Sequence, residues 1–273
     1  MYYDVIIIGG GLSGLIAGIK LAKRGFSAAI ISAGESALNF YSGSFGLLGN
    51  FNGKNVSSPL DEIDKLPDTH PYKKIGANSI AQLAKEAKIL LSEAGLNFIG
   101  THFRNHYRLT PFGHCEPAWL TLSDYAVCNK PGQPGWRKAT IINFRGFPDF
   151  FPAFIAEGMS RHGLECNIEV IDILEISSRL KNFSDTGATT IARLLIGETL
   201  ENLASIINSV ATDSDVVILT GVLVLESDEH MNRLRTLTTP YVMCVPTIPL
   251  SVCGVRTQRC LRRYFENWVE LIL

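Results

Sequence analysis

The segment Asp4-Val-Ile-Ile-Ile-Gly-Gly-Gly-Leu-Ser-Gly14 constrains this chain more than any other stretch. An apolar run, a glycine cluster and a helical pattern follow one another without a break. This order reads as a buried parallel strand at 5–8, a tight turn, and a helix over 15–24 closed by Gly25. Gly9 permits the turn, Gly11 lets the backbone approach a phosphate or pyrophosphate, and Gly14 lets helix and strand pack closely. Gly10, Leu12 and Ser13 complete the candidate cofactor-binding turn. Unpaired amides at a helix start, aided by the helix dipole, bind anions without basic side chains. The structural alternative is a turn that packs tightly and holds no ligand.

The acid that normally completes this fingerprint is missing. A second strand is expected at 27–31, and a carboxylate that holds an adenosine ribose belongs about 20 residues after the glycines. Ser32 stands there instead. A serine hydroxyl is short and uncharged, and cannot grip a ribose diol as a carboxylate does. Either a dinucleotide is held by a weaker ribose contact, or the cofactor lacks adenosine and the turn cradles one phosphate. The second reading favours FMN over FAD or NAD, with FAD as the alternative. Glu35, past the turn at Gly34, is the residue that could swing back to restore the usual contact.

Composition excludes several classes. The 25 basic and 26 acidic residues leave a net charge of −1, so no electrostatic footprint for nucleic acid is present. The start lacks a basic n-region, and its apolar run is broken by glycines, unlike a signal peptide. The later apolar run 216–225 is shorter than the ~20 residues that span a bilayer. The expectation is a cytoplasmic protein that reaches a membrane through partners. Six cysteines without a CxxC pair offer no zinc or iron–sulfur ligand set, and read as reduced, mostly buried thiols. His102 and His106 have i, i+4 spacing, but Arg104 and the turn signals Thr110-Pro-Phe-Gly113 argue against a shared helix, and no metal site is assigned.

The fold class expected is α/β: a Rossmann-like flavin-binding domain, incomplete, with a second, smaller α/β domain. Residues 1–135 form the N-terminal part of the flavin domain, with loop and helix insertions. Within it, 36–55 mixes small polar residues with aromatics and reads as a structured loop. Ser42, Gly43 and Ser44 are its candidate flavin contacts, a local turn being the equal alternative. An amphipathic helix is expected over 78–94. Residues 136–250 form the second domain: strands at 139–144, 165–173, 215–219 and 241–245, and helices at 150–161, 189–208 and 230–237. A proline-punctuated crossover at 246–254 leads to a terminal helix over 255–265. Its Arg256, Arg259, Arg262 and Arg263 read as a solvated face rather than a phosphate site.

With these residues in view, the chain resembles the B subunit of the bacterial anaerobic glycerol-3-phosphate dehydrogenases along nearly its whole length. The resemblance rests on Ile8-Gly-Gly-Gly-Leu-Ser-Gly-Leu15, Ser36-Ala-Leu-Asn-Phe-Tyr-Ser-Gly-Ser44, His70-Pro-Tyr72 and Thr110-Pro-Phe-Gly113. Trp119-Leu120, Thr190-Ile-Ala-Arg193 and Pro246-Thr-Ile-Pro-Leu-Ser-Val-Cys-Gly-Val-Arg256 add to it. It implies a flavoprotein subunit using FMN, paired with a catalytic FAD-bearing A subunit and a membrane-associated iron–sulfur C subunit. Glycerol 3-phosphate would become dihydroxyacetone phosphate, with electrons passed to quinone for fumarate or nitrate respiration. No motif identifies a general base, and no catalytic residue is assigned. Other classes are a non-catalytic remnant or a fumarate-reductase-like oxidoreductase.

The resemblance also implies a longer chain, so 251–273 is expected to be a terminal helix truncated before its return to the flavin domain. Shifting the reading frame near Asn267 of a back-translated terminus yields Leu-Gly-Gly-Thr-Tyr-Phe, a Gly-Gly turn and aromatic strand like the family's. A frameshift is the expectation there. The rival is a genuine helix end with Tyr264, Trp268 and Leu271 on one face.

Overall fold

A computed structural model describes residues 2–180, 187–223, 225 and 227–268. Val5–Ile8 is strand β1, Leu12–Ala22 helix α1 and Ala28–Ile31 strand β2. The strands are parallel, in register from Val5↔Ala28 to Ile8↔Ile31. Helix α1 buries Leu15, Gly18, Ile19 and Ala22. The expectation of a buried β1 is corrected for one face, since Ile6 and Ile8 are 58% and 90% exposed. Helix α1 packs on this unit, and among the described residues β2 is the strand paired with β1.

A 3-10 turn at Ala37–Phe40, capped by Ser36 accepting from the Leu38 N–H, leads to β3 (Ser44–Phe45). β4 (Asn50–Phe51) and β5 (Lys54–Asn55) make a hairpin. Its turn residues Asn52 and Gly53 have φ of 50° and 74°, as a tight hairpin turn requires. The short helices α2 (Pro59–Glu62) and α3 (Pro71–Ile75) precede α4 (Ala77–Glu93), whose Ile80, Ala84, Leu90 and Leu91 are buried. Then come β6 (Phe98–Ile99), β7 (His106–Leu109), β8 (Cys115–Ala118), β9 (Leu120–Leu122) and β10 (Val127–Cys128). They build two small antiparallel sheets, β3-β9-β6 and β10-β7-β8, where the sequence patterns indicated no strands.

The α/β alternation expected from residue 136 is present. It runs β11 (Lys138–Phe144), α5 (Pro152–Ser160), β12 (Glu165–Ile171), α6 (Leu174–Leu180), α7 (Ala188–Leu194), α8 (Gly197–Val210), β13 (Val216–Thr220), α9 (Glu229–Leu237) and β14 (Tyr241–Val245). The strands form a parallel sheet in the order β12-β11-β13-β14. The single helix expected over 189–208 is two helices. Leu195 and Ile196 leave helical geometry, and Gly197 has φ of 52°.

The last helix, α10 (Val252–Glu266), starts earlier than expected because Ser251 caps it, accepting from the Gly254 N–H. It packs on α1 of the first unit, a contact the sequence pattern did not indicate. Phe265 is fully buried, and a Cβ on Gly18 would lie 2.9 Å from its ring and 2.9 Å from Ile30. A glycine is therefore required where α10 crosses α1. Lys23 and Tyr264 both reach Glu93, at 2.6 and 3.0 Å, tying α1, α10 and α4 together. Leu15, Ile30, Ile141 and Ile218 belong to one continuous core. Residues 269–273 of the terminal stretch and Val224 of the 216–225 run lie outside the described residues.

Candidate functional site

The glycine turn has the local geometry its sequence calls for. Gly9 sits at φ +107° and its N–H donates to Ile31 O at 2.8 Å, fixing the end of β1 beside β2. A Cβ on Gly14 would stand 2.0 Å from Gly9 O, so the helix start can touch the turn only through a glycine. Gly11 is the N-cap of α1, in extended geometry, and no side chain caps the helix. The first helical bond runs from Leu15 N–H to Gly11 O at 3.0 Å, which leaves the preceding amides without an intrahelical acceptor. The first turn carries no acidic residue to repel an anion. A Cβ on Gly11 would meet only Ser36, at 3.9 Å, so the backbone is open there. This uncapped, open turn suits a phosphate group.

Ser32 lies against the turn, since a Cβ on Gly10 would be 2.9 Å from its Cβ and Oγ. Gly10, Leu15, Ile30, Ser32, Gly34, Gln258 and Arg262 line a cleft of about 160 Å³. Arg262, read from sequence as a solvated arginine, is thus beside the position of the missing acid, held by Glu266 at 3.1 Å. Glu35 does not reach this cleft's lining, because its carboxylate accepts from the Asn39 amide.

The Ser42–Ser44 segment is held by other contacts. Gly43 packs against the Tyr125 ring, and Ser44 Oγ bonds to Thr121 Oγ1 at 2.8 Å. Ahead of it, Tyr41 O accepts from Ser251 Oγ and Cys253 Sγ at the start of α10. Thr121 also bonds to His106 Nε2 at 2.7 Å, which makes a chain Ser44–Thr121–His106. Burial, with Lys88 nearby, lowers the His106 pKa to about 4, so this imidazole is neutral at pH 7.

His106 opens onto a second cleft of about 490 Å³, lined with Thr101, Arg104, Asn105, Asn129 and Lys130 among others. No carboxylate lines it, and neither Arg104 nor Lys130 has an ion-pair partner among the described residues. Asn105 is 3% exposed and its Oδ1 is without a hydrogen bond. The lining therefore offers cations to an anion. Sequence reading missed this group because its residues are ordinary loop and strand-end residues in local context. His102 and His106 share no helix, since His106 opens β7.

Arg256 is the largest departure from the expected solvated face. It is fully buried and pairs with Asp124 at 3.0 Å and with Asp228. Helical spacing alone gave no sign of this, because both partners come from other parts of the chain.

Comparison with known proteins agrees with the turn. The chain is 37% identical to the B subunit of the anaerobic glycerol-3-phosphate dehydrogenase of Yersinia enterocolitica, over 100% of this chain and 66% of that protein. The proteins of the same name from Pectobacterium atrosepticum and Histophilus somni are 34% and 31% identical, with the same coverage. The chain thus spans 66% of the length of these relatives. A crystal structure of an oxidoreductase from Agrobacterium tumefaciens overlaps at 15% identity and a TM-score of 0.17, covering 64% of this chain and 68% of that one, too little to bear on the fold. Among the described residues no helix is long and apolar enough to cross a membrane. The FAD binding domain family matches residues 4–266, from the β1 strand to the end of α10, and the chain belongs to that family.

Proposed function

We propose that this chain is a flavin-binding part of one subunit of an anaerobic glycerol-3-phosphate:quinone oxidoreductase. The observation that carries the reading is the similarity to proteins of that name along the whole of this chain, together with the uncapped glycine turn at the start of α1. In this reading the amides after Gly11 hold the flavin phosphate, with Gly9, Gly10, Leu12, Ser13 and Gly14 shaping the turn. Ser32 borders it, and Ser42–Ser44 contribute through their loop. When bound there, a flavin would supply hydride acceptance and single-electron release, with the residues of the turn setting its position.

The flavin proposed is FMN. Ser32 offers no carboxylate to a ribose diol, Glu35 is engaged with Asn39, and the Arg262 guanidinium walls the same cleft. The FAD binding domain match makes FAD the competing flavin. The chain works beside an FAD-bearing A subunit and an iron–sulfur C subunit, at the cytoplasmic face of the inner membrane. Glycerol 3-phosphate becomes dihydroxyacetone phosphate, and electrons pass to quinone for fumarate or nitrate respiration. The cation-lined cleft at Arg104 and Lys130 supports an anionic substrate. A second reading, a non-catalytic partial domain, is favoured by the uncovered Ile6 and Ile8 face of β1.

Co-expression with the neighbouring dehydrogenase subunits tests both. The expected result is a complex with dye-linked glycerol-3-phosphate oxidation that needs this chain and releases FMN on denaturation. FAD bound to this chain in equal molar amount overturns the choice of flavin. Activity unchanged when the chain is omitted favours the non-catalytic reading.

A further inference from the structure

The β10-β7-β8 sheet brings two cysteines together that lie apart in sequence. Cys115 opens β8 opposite Leu109, and Cys128 ends β10 opposite Tyr107. Leu109 and Tyr107 are alternate residues of β7, so both thiols stand on the same face of the sheet. Their sulfurs are 3.8 Å apart, with Cys128 donating to Cys115. The turn after β10, closed by Gln133 N–H to Lys130 O at 3.0 Å, packs against His162, whose ring would be 2.2 Å from a Cβ on Gly132.

The two thiols are not equivalent. Cys115 is half-buried, whereas Cys128 is buried. The Cys128 hydrogen bond, a backbone N–H at Gly132, and the nearby His162 and His114 lower the Cys115 pKa to about 6. The same contact and burial push the Cys128 thiol up. At pH 7 Cys115 is mainly thiolate and Cys128 carries the shared proton. Cys166, also half-buried, is pushed up to about 11, and Cys244, Cys253 and Cys260 are buried. A partly exposed thiolate beside a protonated second thiol is the arrangement of attacking and resolving cysteines.

We propose that Cys115 and Cys128 are a thiol–disulfide exchange pair, Cys115 attacking and Cys128 resolving, whose co-reactant is a small organic disulfide of the glutathione type. The Cys115 thiolate attacks one sulfur of the disulfide, forming a mixed disulfide and expelling one thiolate. That thiolate takes the Cys128 proton, and Cys128 then attacks Cys115 Sγ, forming the internal bond and expelling the second thiolate. Two electrons leave the cysteine pair and reduce the small disulfide. Forming the bond closes the 3.8 Å gap to about 2.05 Å and draws β10 toward β8. Val127 and Asn129, on either side of Cys128, line the cleft that holds His106, so the bond bears directly on that cleft. The exchange chemistry of the pair does not depend on a bound flavin.

The test treats the purified full chain with oxidised glutathione at pH 7 and follows it by intact mass and peptide mapping. The expected product has lost two hydrogens and contains a Cys115–Cys128 cross-linked peptide. Cys128→Ser should instead accumulate a glutathione adduct on Cys115, and Cys115→Ser should give no adduct on Cys128. Iodoacetamide labelling of the unsubstituted chain is a second measurement that needs no variant. Weighing thiolate fraction against the lower nucleophilicity of a more acidic thiol, Cys115 should label on the order of 50-fold faster than Cys166 at pH 7. Its labelling should have a midpoint near pH 6, and Cys128→Ala should move that midpoint upward. A stable adduct on Cys115 in the unsubstituted chain overturns the resolving role of Cys128. Labelling of Cys115 no faster than Cys166 overturns the proposal.

Discussion

Replacing Arg256 by methionine should unfold this protein far more readily than any surface arginine change. The guanidinium is fully buried on α10, 3.0 Å from Asp124 Oδ2, and also pairs with Asp228. Asp124 is itself 1% exposed, and its Oδ1 has no hydrogen bond. The next cation, Arg235, stands 3.9 Å away, with its Nε donating to Val242 O. Methionine fills much of the space but leaves Asp124 as a buried carboxylate with one distant partner. Breaking a buried pair from one side costs about 3–5 kcal/mol, against a total stability of roughly 5–15 kcal/mol. With a urea slope near 3 kcal/mol/M, the unfolding midpoint should fall by about 1–2 M. The double variant Arg256→Met with Asp124→Leu should recover much of the loss, because the fully buried carboxylate is gone, and Asp228, 12% exposed at its side chain, keeps the Asn97 amide as a donor. Flavin retention should fall with the single variant, since α10 also carries Gln258 and Arg262 into the cleft beside Ser32. A solvated arginine would change stability by within about 0.5 kcal/mol. A loss below about 1 kcal/mol for Arg256→Met would falsify the buried-network reasoning.

Stability should depend on pH through His106. Its pKa falls from 6.5 to about 4 in the fold, so the neutral ring is favoured. The contribution is complete above pH 6.5 and is lost as pH falls toward 4, amounting to about 3 kcal/mol. Urea midpoints at pH 7 and 4.5 should differ less in His106→Asn, and an unchanged difference contradicts the assignment. At the glycine turn, Gly11→Val and Gly14→Ala should separate binding from folding. The Gly11 position is open, so its valine variant should keep its thermal midpoint and lose flavin, and normal flavin retention would show a purely structural turn. A methyl group on Gly14 meets Gly9 O at 2.0 Å, so Gly14→Ala should lower the thermal midpoint as well, as a melting curve will show. Phe265→Ala should cost about 3–5 kcal/mol by emptying the contact between α10 and α1, measured by urea unfolding.

What could be read from the sequence was whatever neighbouring residues specify for themselves. Gly9 needs a positive φ, Gly14 faces a backbone oxygen within its own turn, and Ser32 falls at a fixed distance along the chain from the glycines. The parallel strands from β11 to β14 show in runs such as Val216-Val-Ile-Leu219, whose residues are all buried. The Asn52-Gly53 pair also specifies its hairpin locally, within a segment whose overall composition is that of a structured loop. Tertiary structure alone decided the pairings between distant residues. Arg256 has the spacing of a solvated helix face until α10 crosses the core and places Asp124 and Asp228 beside it. Cys115 and Cys128 show no motif spacing, and meet because β7 lies between their strands in a sheet whose register puts both side chains on one face. Arg262 came to stand near Ser32 because a glycine at position 18 lets Phe265 press α10 onto α1. Backbone angles and helix starts are set by a few consecutive residues. The burial of a charge and the company of a thiol are set by sheet register and helix packing across the whole chain.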